Sequence, residues 1–201
     1  MKRIGILGGT FDPPHIGHLI IAEEVRIALD LTEVWFIPTY EPPHKDRASS
    51  SVEDRLNMLQ RAIGEHPHFK INTIEIERSG KSYTIDTMKT FKRMYPEDEF
   101  FFIIGADMVE YLPNWFKIEE LIKLVTFVGV KRPGFNVESD YPVVEVDIPI
   151  IDISSTTIRS RLARKQSIKY LTPDAVISYI KERQLYGTSG SIDSSKTASD
   201  G

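Results

Sequence analysis

The chain has 201 residues, a formal net charge of −4, 41% hydrophobic and 27% charged residues, and no cysteine. That balance suits one soluble globular domain with a sizeable core; it excludes disulfides, thiolate metal sites and a thiol nucleophile, and it argues against a general polyanion binder, which would carry a basic face. No apolar run reaches the roughly 18 residues of a transmembrane helix, and the basic start Met1-Lys2-Arg3 leads into a strand-like run rather than a signal-peptide core, so a cytoplasmic protein without membrane or nucleic-acid partners is expected.

In chain order, residues 2–8 (KRIGILG) form a short buried-strand run. From His18 to Leu29, apolar Leu19, Ala22, Val25 and Leu29 fall close to the helical period. VWFIP reads as a second strand ended by Pro38, and YEPPHKDRASS as a loop, after which Ser50 or Ser51 caps the helix VEDRLNMLQRAI. FKINTIEIER alternates Ile71, Ile74 and Ile76 as a strand, SYTIDTMKTFKRMY is helical, and EFFFIIG is a buried strand. WFKIEELIKL reads as helix, TFVGVKR and YPVVEVDIPI as strands, and TTIRSRLARK and TPDAVISYIKERQL as two closing helices. Strands alternating with helices imply a doubly wound, Rossmann-like α/β fold, a mostly parallel sheet with helices on both faces and ligands at the carboxyl ends of its strands. One domain over residues 1–187 is expected. The remainder, TSGSIDSSKTASDG, is too small and polar to repay ordering and is expected to be disordered; its composition also suits an expression remnant.

The stretch GGTFDPPHIGH, Gly8 to His18, joins the first strand to the first helix. Gly8 and Gly9 let a ligand approach the main chain, Pro13 and Pro14 stiffen the turn, and the helix start offers free N–H groups and the positive end of its dipole. A phosphate fits there, with the imidazoles of His15 and His18 as donors. A plain turn, a structural histidine pair and a zinc pair are the other readings; no cysteine or nearby acidic triad completes the last. The redox dinucleotide fingerprint is absent, because G-x-G-x-x-G is not formed and Pro38, Thr39 and Tyr40 follow the second strand where an acid would be needed. No Gly-Lys-Ser/Thr marks a Walker loop.

A second constellation lies in ISSTTIRSRLARK. Ser154, Ser155 and Thr156 precede a basic helix with Arg159 one turn inside, which is either another phosphate seat or a plain capped helix with a solvated basic face. Lys131 and Arg132 add charge at the same sheet edge.

Together these residues resemble the nucleotidyltransferase superfamily marked by an (H/T)xGH signature, here His15-Ile16-Gly17-His18, and a late SSTxIR signature, here Ser154 to Arg159. PPHK at 42–45, SYTIDT at 82–87, FFIIGADM at 101–108 and PNWFK at 113–117 are similar to bacterial nicotinate mononucleotide adenylyltransferases, and the likeness runs from Met1 to about Gly187. The resemblance implies that the phosphate of nicotinate mononucleotide attacks the α-phosphorus of ATP, giving deamido-NAD and pyrophosphate, a step of NAD biosynthesis. It implies catalytic roles for His15, His18 and Arg159. It places ATP on Gly8, Gly9, Thr10, Phe11, His15, His18, Lys45, Gly105, Asp107, Ser155, Thr156 and Arg159. The mononucleotide would meet Tyr83, Thr84, Trp115, Phe116 and Arg132. Magnesium would arrive on the triphosphate, since no dedicated carboxylate cage is visible. The alternatives are another adenylyltransferase of the superfamily, acting on phosphopantetheine or nicotinamide mononucleotide, and a nucleotide-binding regulatory module without catalysis. A homo-oligomer is compatible with the sequence.

Overall fold

The computed structural model describes residues 1–40, 48–80, 83–130, 139–149 and 152–188. Six strands form one sheet: β1 (Arg3–Gly9), β2 (Glu33–Pro38), β3 (Phe69–Ile71), β4 (Glu99–Gly105), β5 (Thr126–Val130) and β6 (Val143–Val146). Their spatial order is β3-β2-β1-β4-β5-β6 and every pairing is parallel. This is the doubly wound arrangement expected, with the order reversing between β1 and β4.

Alternation along the strands loads both faces with apolar side chains, as a sheet covered on both sides requires. Ile4, Ile6, Trp35, Ile37, Phe100, Phe102 and Ile104 share one core, closed by Ile85, Met88 and Phe91 of α4 (Thr84–Met94) and by Val109 of α5 (Ala106–Tyr111). Leu7, Val34, Phe36, Phe101, Ile103 and Val128 face the other way, against Ala22 and Val25 of α1 (Ile16–Ala28) and Leu59 and Ile63 of α2 (Val52–Ile63). The opposite face of α2, with Met58 and Ala62, packs on Ile158 and Leu162 of α7 (Ser155–Ala163) and on Val176, Tyr179 and Ile180 of α8 (Asp174–Glu182). Through α2 the last two helices are therefore seated beside the start of the chain.

Several elements are shorter than their sequence pattern suggests. The segment 69–78 is not one strand: β3 stops at Ile71 and α3 (Ile74–Arg78) follows, because the Asn72 side chain accepts the Ile74 N–H at 3.1 Å and turns the backbone out of the ladder. In YPVVEVDIPI only Val143–Val146 pairs, since Pro142 and Pro149 have no N–H to donate. Within WFKIEELIKL the helix shrinks to α6 (Ile118–Leu121), because Lys117 is left-handed at φ 57° and breaks the path from Trp115. The first helix starts at Ile16, two residues before His18. Ser51 is the cap of α2 and accepts from Asp54 N–H at 3.0 Å. All but one residue of the polar tail lies outside the described residues. Among the described residues no helix is long and apolar enough to cross a membrane.

One clasp fixes α8 to α2. Asp54 accepts from the Tyr179 hydroxyl at 2.9 Å and from Arg183 Nε at 3.2 Å, and from its own cap, Ser51 Oγ, at 2.7 Å. Burial alone would raise the Asp54 carboxyl, but these hydrogen bonds from Ser51, Tyr179 and Arg183 outweigh it and hold the group below its ordinary value. A depressed carboxyl contributes stability above its unfolded pKa and loses it as pH falls through the folded one. Asp54→Ala should therefore cost about 2 kcal/mol at pH 7 and clearly less near pH 3. Urea titrations at the two pH values check this, and an equal penalty at both would contradict it.

Candidate active site

The first strand runs out at the reversal point of the sheet, where Gly8 pairs in register with Ile37 and Gly9 with Pro38. Gly9 has a local reason to lack a side chain: a Cβ there would stand 3.1 Å from the Phe11 ring. Phe11 takes a left-handed backbone at φ 51° and turns its ring under the strand end, 1% exposed, 5.8 Å from Phe36 and edge-on to His18 at 5.0 Å. What Phe11 presents to a ligand is main chain, not its ring. The Asp12–Pro13 peptide is cis, and His15 stands at the N-cap of α1.

The two histidines are not equivalent. His15 is 6% exposed and its ring stacks on that of His18 with centroids 3.7 Å apart. His18 is half-buried, and its Nδ1 accepts the backbone N–H of His15 at 3.1 Å. An accepting Nδ1 carries no proton, so the neutral ring holds its proton on Nε2 and can donate it to an oxygen at the helix start. The first turn of α1 contains no acidic side chain, so its positive dipole end acts unopposed from within the helix.

The late motif docks on this turn. Arg159 Nη1 donates to the Asp12 carbonyl at 2.7 Å, across a separation of 147 residues, and Ser155 Oγ donates to the Pro13 carbonyl at 2.8 Å. Thr172 Oγ1 donates to the Pro14 carbonyl at 2.8 Å, and Ile16 N–H to the Leu171 carbonyl at 3.0 Å. The Ser154 side chain caps α7, accepting Thr157 N–H at 3.1 Å, while Thr156 is exposed and its Oγ1 lies 3.3 Å from Arg159 Nη2. The starts of α1 and α7 thus meet at one place, with the Arg159 guanidinium bonded to the turn that leads into α1. Such an arrangement suits a polyanion.

Beside it, β4 ends at Gly105, paired with Val130. The Asp107 carboxylate folds over Gly105, where any Cβ would meet Asp107 Oδ1 at 2.6 Å, and Asp107 remains exposed. Thr10 is half-buried and its carbonyl is taken by Arg55. An aromatic corner adjoins the strand ends through Phe102, whose ring tip would lie 3.7 Å from a Cβ on Gly8 and whose other edge meets Trp115 at 5.7 Å. Tyr83, the N-cap of α4, and Phe116 are both exposed, and their rings lie 4.8 Å apart. Thr84 opens α4 next to them. Trp115 differs from its neighbour: it is half-buried, edge-on to both Phe102 and Phe127 at 5.7 Å, and much of its surface belongs to the core. Lys45 and Arg132, with Lys131 and the PPHK segment, lie outside the described residues.

Sequence reading missed three residues that organise the turn. Asp12 is 3% exposed, and its carboxylate accepts from Ser49 N–H, Ser50 Oγ and the Tyr186 hydroxyl, each at 2.5 Å. Arg55, 1% exposed in α2, donates through Nη1 to the Thr10 carbonyl at 2.9 Å and the Thr39 carbonyl at 2.8 Å, tying the ends of β1 and β2 together. Burial lowers the Arg55 guanidinium, opposed by the charge of Asp12. The one available signal was an arginine on the apolar side of an amphipathic helix, next to Met58 and Leu59 in the period. Among the described residues no group of three or more histidine or carboxylate side chains is arranged to hold a metal. An open concavity of about 600 Å³ between α2 and β3, lined by Val52, Leu56 and Ile71, contains none of the site residues.

A sheet of this order, with its phosphate-type seat at the reversal point, defines a nucleotide-binding α/β protein. The family model described as cytidylyltransferase-like matches residues 6–161. A protein of Geobacillus thermodenitrificans described as a probable nicotinate-nucleotide adenylyltransferase is 57% identical over 100% of this chain and 94% of its own length. The nicotinate-nucleotide adenylyltransferase of Bacillus subtilis is 51% identical over 92% of this chain and 99% of its own. The Plasmodium falciparum nicotinic acid mononucleotide adenylyltransferase complexed with NaAD shares the fold at a TM-score of 0.79 and 24% identity, covering 94% of this chain and 99% of that one. The chain belongs to the nicotinate-nucleotide adenylyltransferase family of nucleotidyltransferases.

Because Trp115 is wedged between Phe102 and Phe127, Trp115→Ala should lower the unfolding free energy by about 2 kcal/mol, whatever it does to ligand binding. Denaturant titration reads this directly. An unchanged midpoint would mean that the indole serves a ligand alone.

Proposed function

We propose that this chain transfers the adenylyl group of ATP to nicotinate mononucleotide, releasing pyrophosphate and forming deamido-NAD. The observation that carries the reading is the docking of Arg159 and Ser155 on the Asp12–Pro13 carbonyls, which joins a guanidinium and the start of α7 to the turn that leads to His15 and His18. Family membership supplies the acceptor.

In this reaction a phosphate oxygen of the mononucleotide forms a bond to the α-phosphorus as the bond to the β-phosphate bridge breaks, and the electron pair leaves with pyrophosphate. The demand on the protein is alignment and stabilisation of charge on the non-bridging oxygens. His18, with its proton on Nε2, is the donor for the reacting phosphate; His15, stacked beneath, holds that ring in place. Arg159 and the amides of Ser155 and Thr156 take the outer phosphates, the strand-end glycines let the nucleotide lie against main chain, and Gly105 with Asp107 lies at the adenosine end. Lys45 and Arg132 belong to the same reading by resemblance. Magnesium enters with the triphosphate and offsets its charge; this chain contributes the donors around it.

The pyridine end belongs at the corner of Tyr83, Thr84, Trp115 and Phe116. Backbone N–H groups at the start of α4 suit a carboxylate, whose oxygens only accept, and leave a donor unpaired against an amide NH₂. A cytoplasmic setting goes with this reading, since a chain with no cysteine has no stake in an oxidising compartment.

His18→Ala should lower turnover about 10²- to 10³-fold with the fold intact, comparable to removing one donor from an oxyanion site. Arg159→Ala should raise the KM for ATP and leave mononucleotide binding near normal, and Arg159→Lys should restore only part, because an ammonium cannot keep the 2.7 Å bond and grip a phosphate as a planar fork does. Pyrophosphate release measured with nicotinate and nicotinamide mononucleotides side by side should favour the acid by at least about tenfold. Equal efficiency on the two would remove the nicotinate assignment, and no pyrophosphate with either would remove the reaction.

A further inference from the structure

Tyr186 sits in a short 3₁₀ turn, Leu185–Gly187, after α8. Its backbone is left-handed at φ 58°, and so is that of Gln184 at φ 51°, conformations that side-chain-bearing residues hold only when something fixes them. What they achieve is placement of one hydroxyl. Tyr186 Oη reaches Asp12 Oδ1 at 2.5 Å, within 3.3 Å of Ser50 Oγ and 3.8 Å of Met58 Sδ. Burial raises the Tyr186 phenol far above its ordinary value, and the Asp12 carboxylate adds to this, so the hydroxyl stays protonated and remains a donor.

Asp12 is thereby held from two sides. Its carboxylate is gripped by Tyr186, Ser49 and Ser50, and its main-chain carbonyl by Arg159. Without the phenol, the buried carboxylate would lose one of its three donors, and the turn that offers the Asp12 carbonyl to Arg159 would lose one of its ties. The guanidinium would then lose the 2.7 Å contact that aims it at the seat.

We propose that Tyr186 is a positioning residue for the triphosphate of ATP, acting through Asp12 on Arg159 and touching no substrate itself. This rests on the seat being the ATP site of the proposed reaction. Tyr186→Phe keeps the ring against Met58 and removes only the oxygen. ATP and nicotinate mononucleotide are titrated separately by calorimetry into the full-length wild type and the variant, with thermal melting alongside. The variant should bind ATP at least about fivefold more weakly, bind the mononucleotide within about twofold of wild type, and melt within a few degrees of it. A merely structural phenol would lower the melting temperature and leave the ATP dissociation constant of the folded protein where it was; an ATP affinity equal to wild type overturns the proposal, whatever happens to turnover. Equal weakening of both ligands overturns it too. Should wild type bind ATP yet release no pyrophosphate with the mononucleotide, the acceptor assignment would fall while the Tyr186 titration still stood.

Discussion

The contact on which the rest of the site depends is the donation from Arg159 to the Asp12 carbonyl, supported by Ser155 on Pro13 and Thr172 on Pro14. The carbonyls of Asp12, Pro13 and Pro14 lie in a nearly buried turn, and without partners each would cost desolvation energy. The late segment supplies those partners. In doing so it brings a second helix start and a guanidinium to the place where α1 already offers a positive dipole end. Neither motif alone offers what the proposed polyanion seat needs; their contact assembles it.

The fold is organised to permit that contact. Both sheet faces must be covered, which obliges α2 to lie on the sheet with Leu59 and Ile63 and leaves Met58 and Ala62 free to receive α7 and α8. Arg55 stands on the same helix, and its buried fork joins the ends of β1 and β2. A single helix therefore carries the core, the support for the last two helices and the strut beneath the phosphate turn. The site inherits rigidity from packing that would be needed anyway.

How much of this was legible in the sequence follows from the range of the interactions involved. The parallel, doubly wound sheet was legible, because apolar runs such as KRIGILG and EFFFIIG report burial on both faces and helices between them force parallel crossovers; the order of the strands was not. His15, His18 and Arg159 stood out because motif spacing at a strand exit and a helix start has a local meaning, and the structure brings Arg159 onto the turn that leads to the two histidines. The split of 69–78 was not, because an isoleucine alternation outweighs one asparagine until its side chain is seen to take the Ile74 N–H. The partial burial of Trp115, expected to meet the mononucleotide beside Phe116, was not legible either, because its neighbours Phe102 and Phe127 come from β4 and β5. Asp12 and Tyr186 were missed for the same reason: their hydrogen bond spans 174 residues, and no local pattern announces it.

The claim that two distant segments form one seat is tested most directly by hydrogen–deuterium exchange with and without ATP. ATP should slow exchange together in the amides from Gly9 to His18 and in those from Ser154 to Arg159, with both segments saturating at the same nucleotide concentration. Protection of one segment while the other exchanges as before would show that the contact between Arg159 and the Asp12 carbonyl holds the fold and not the nucleotide.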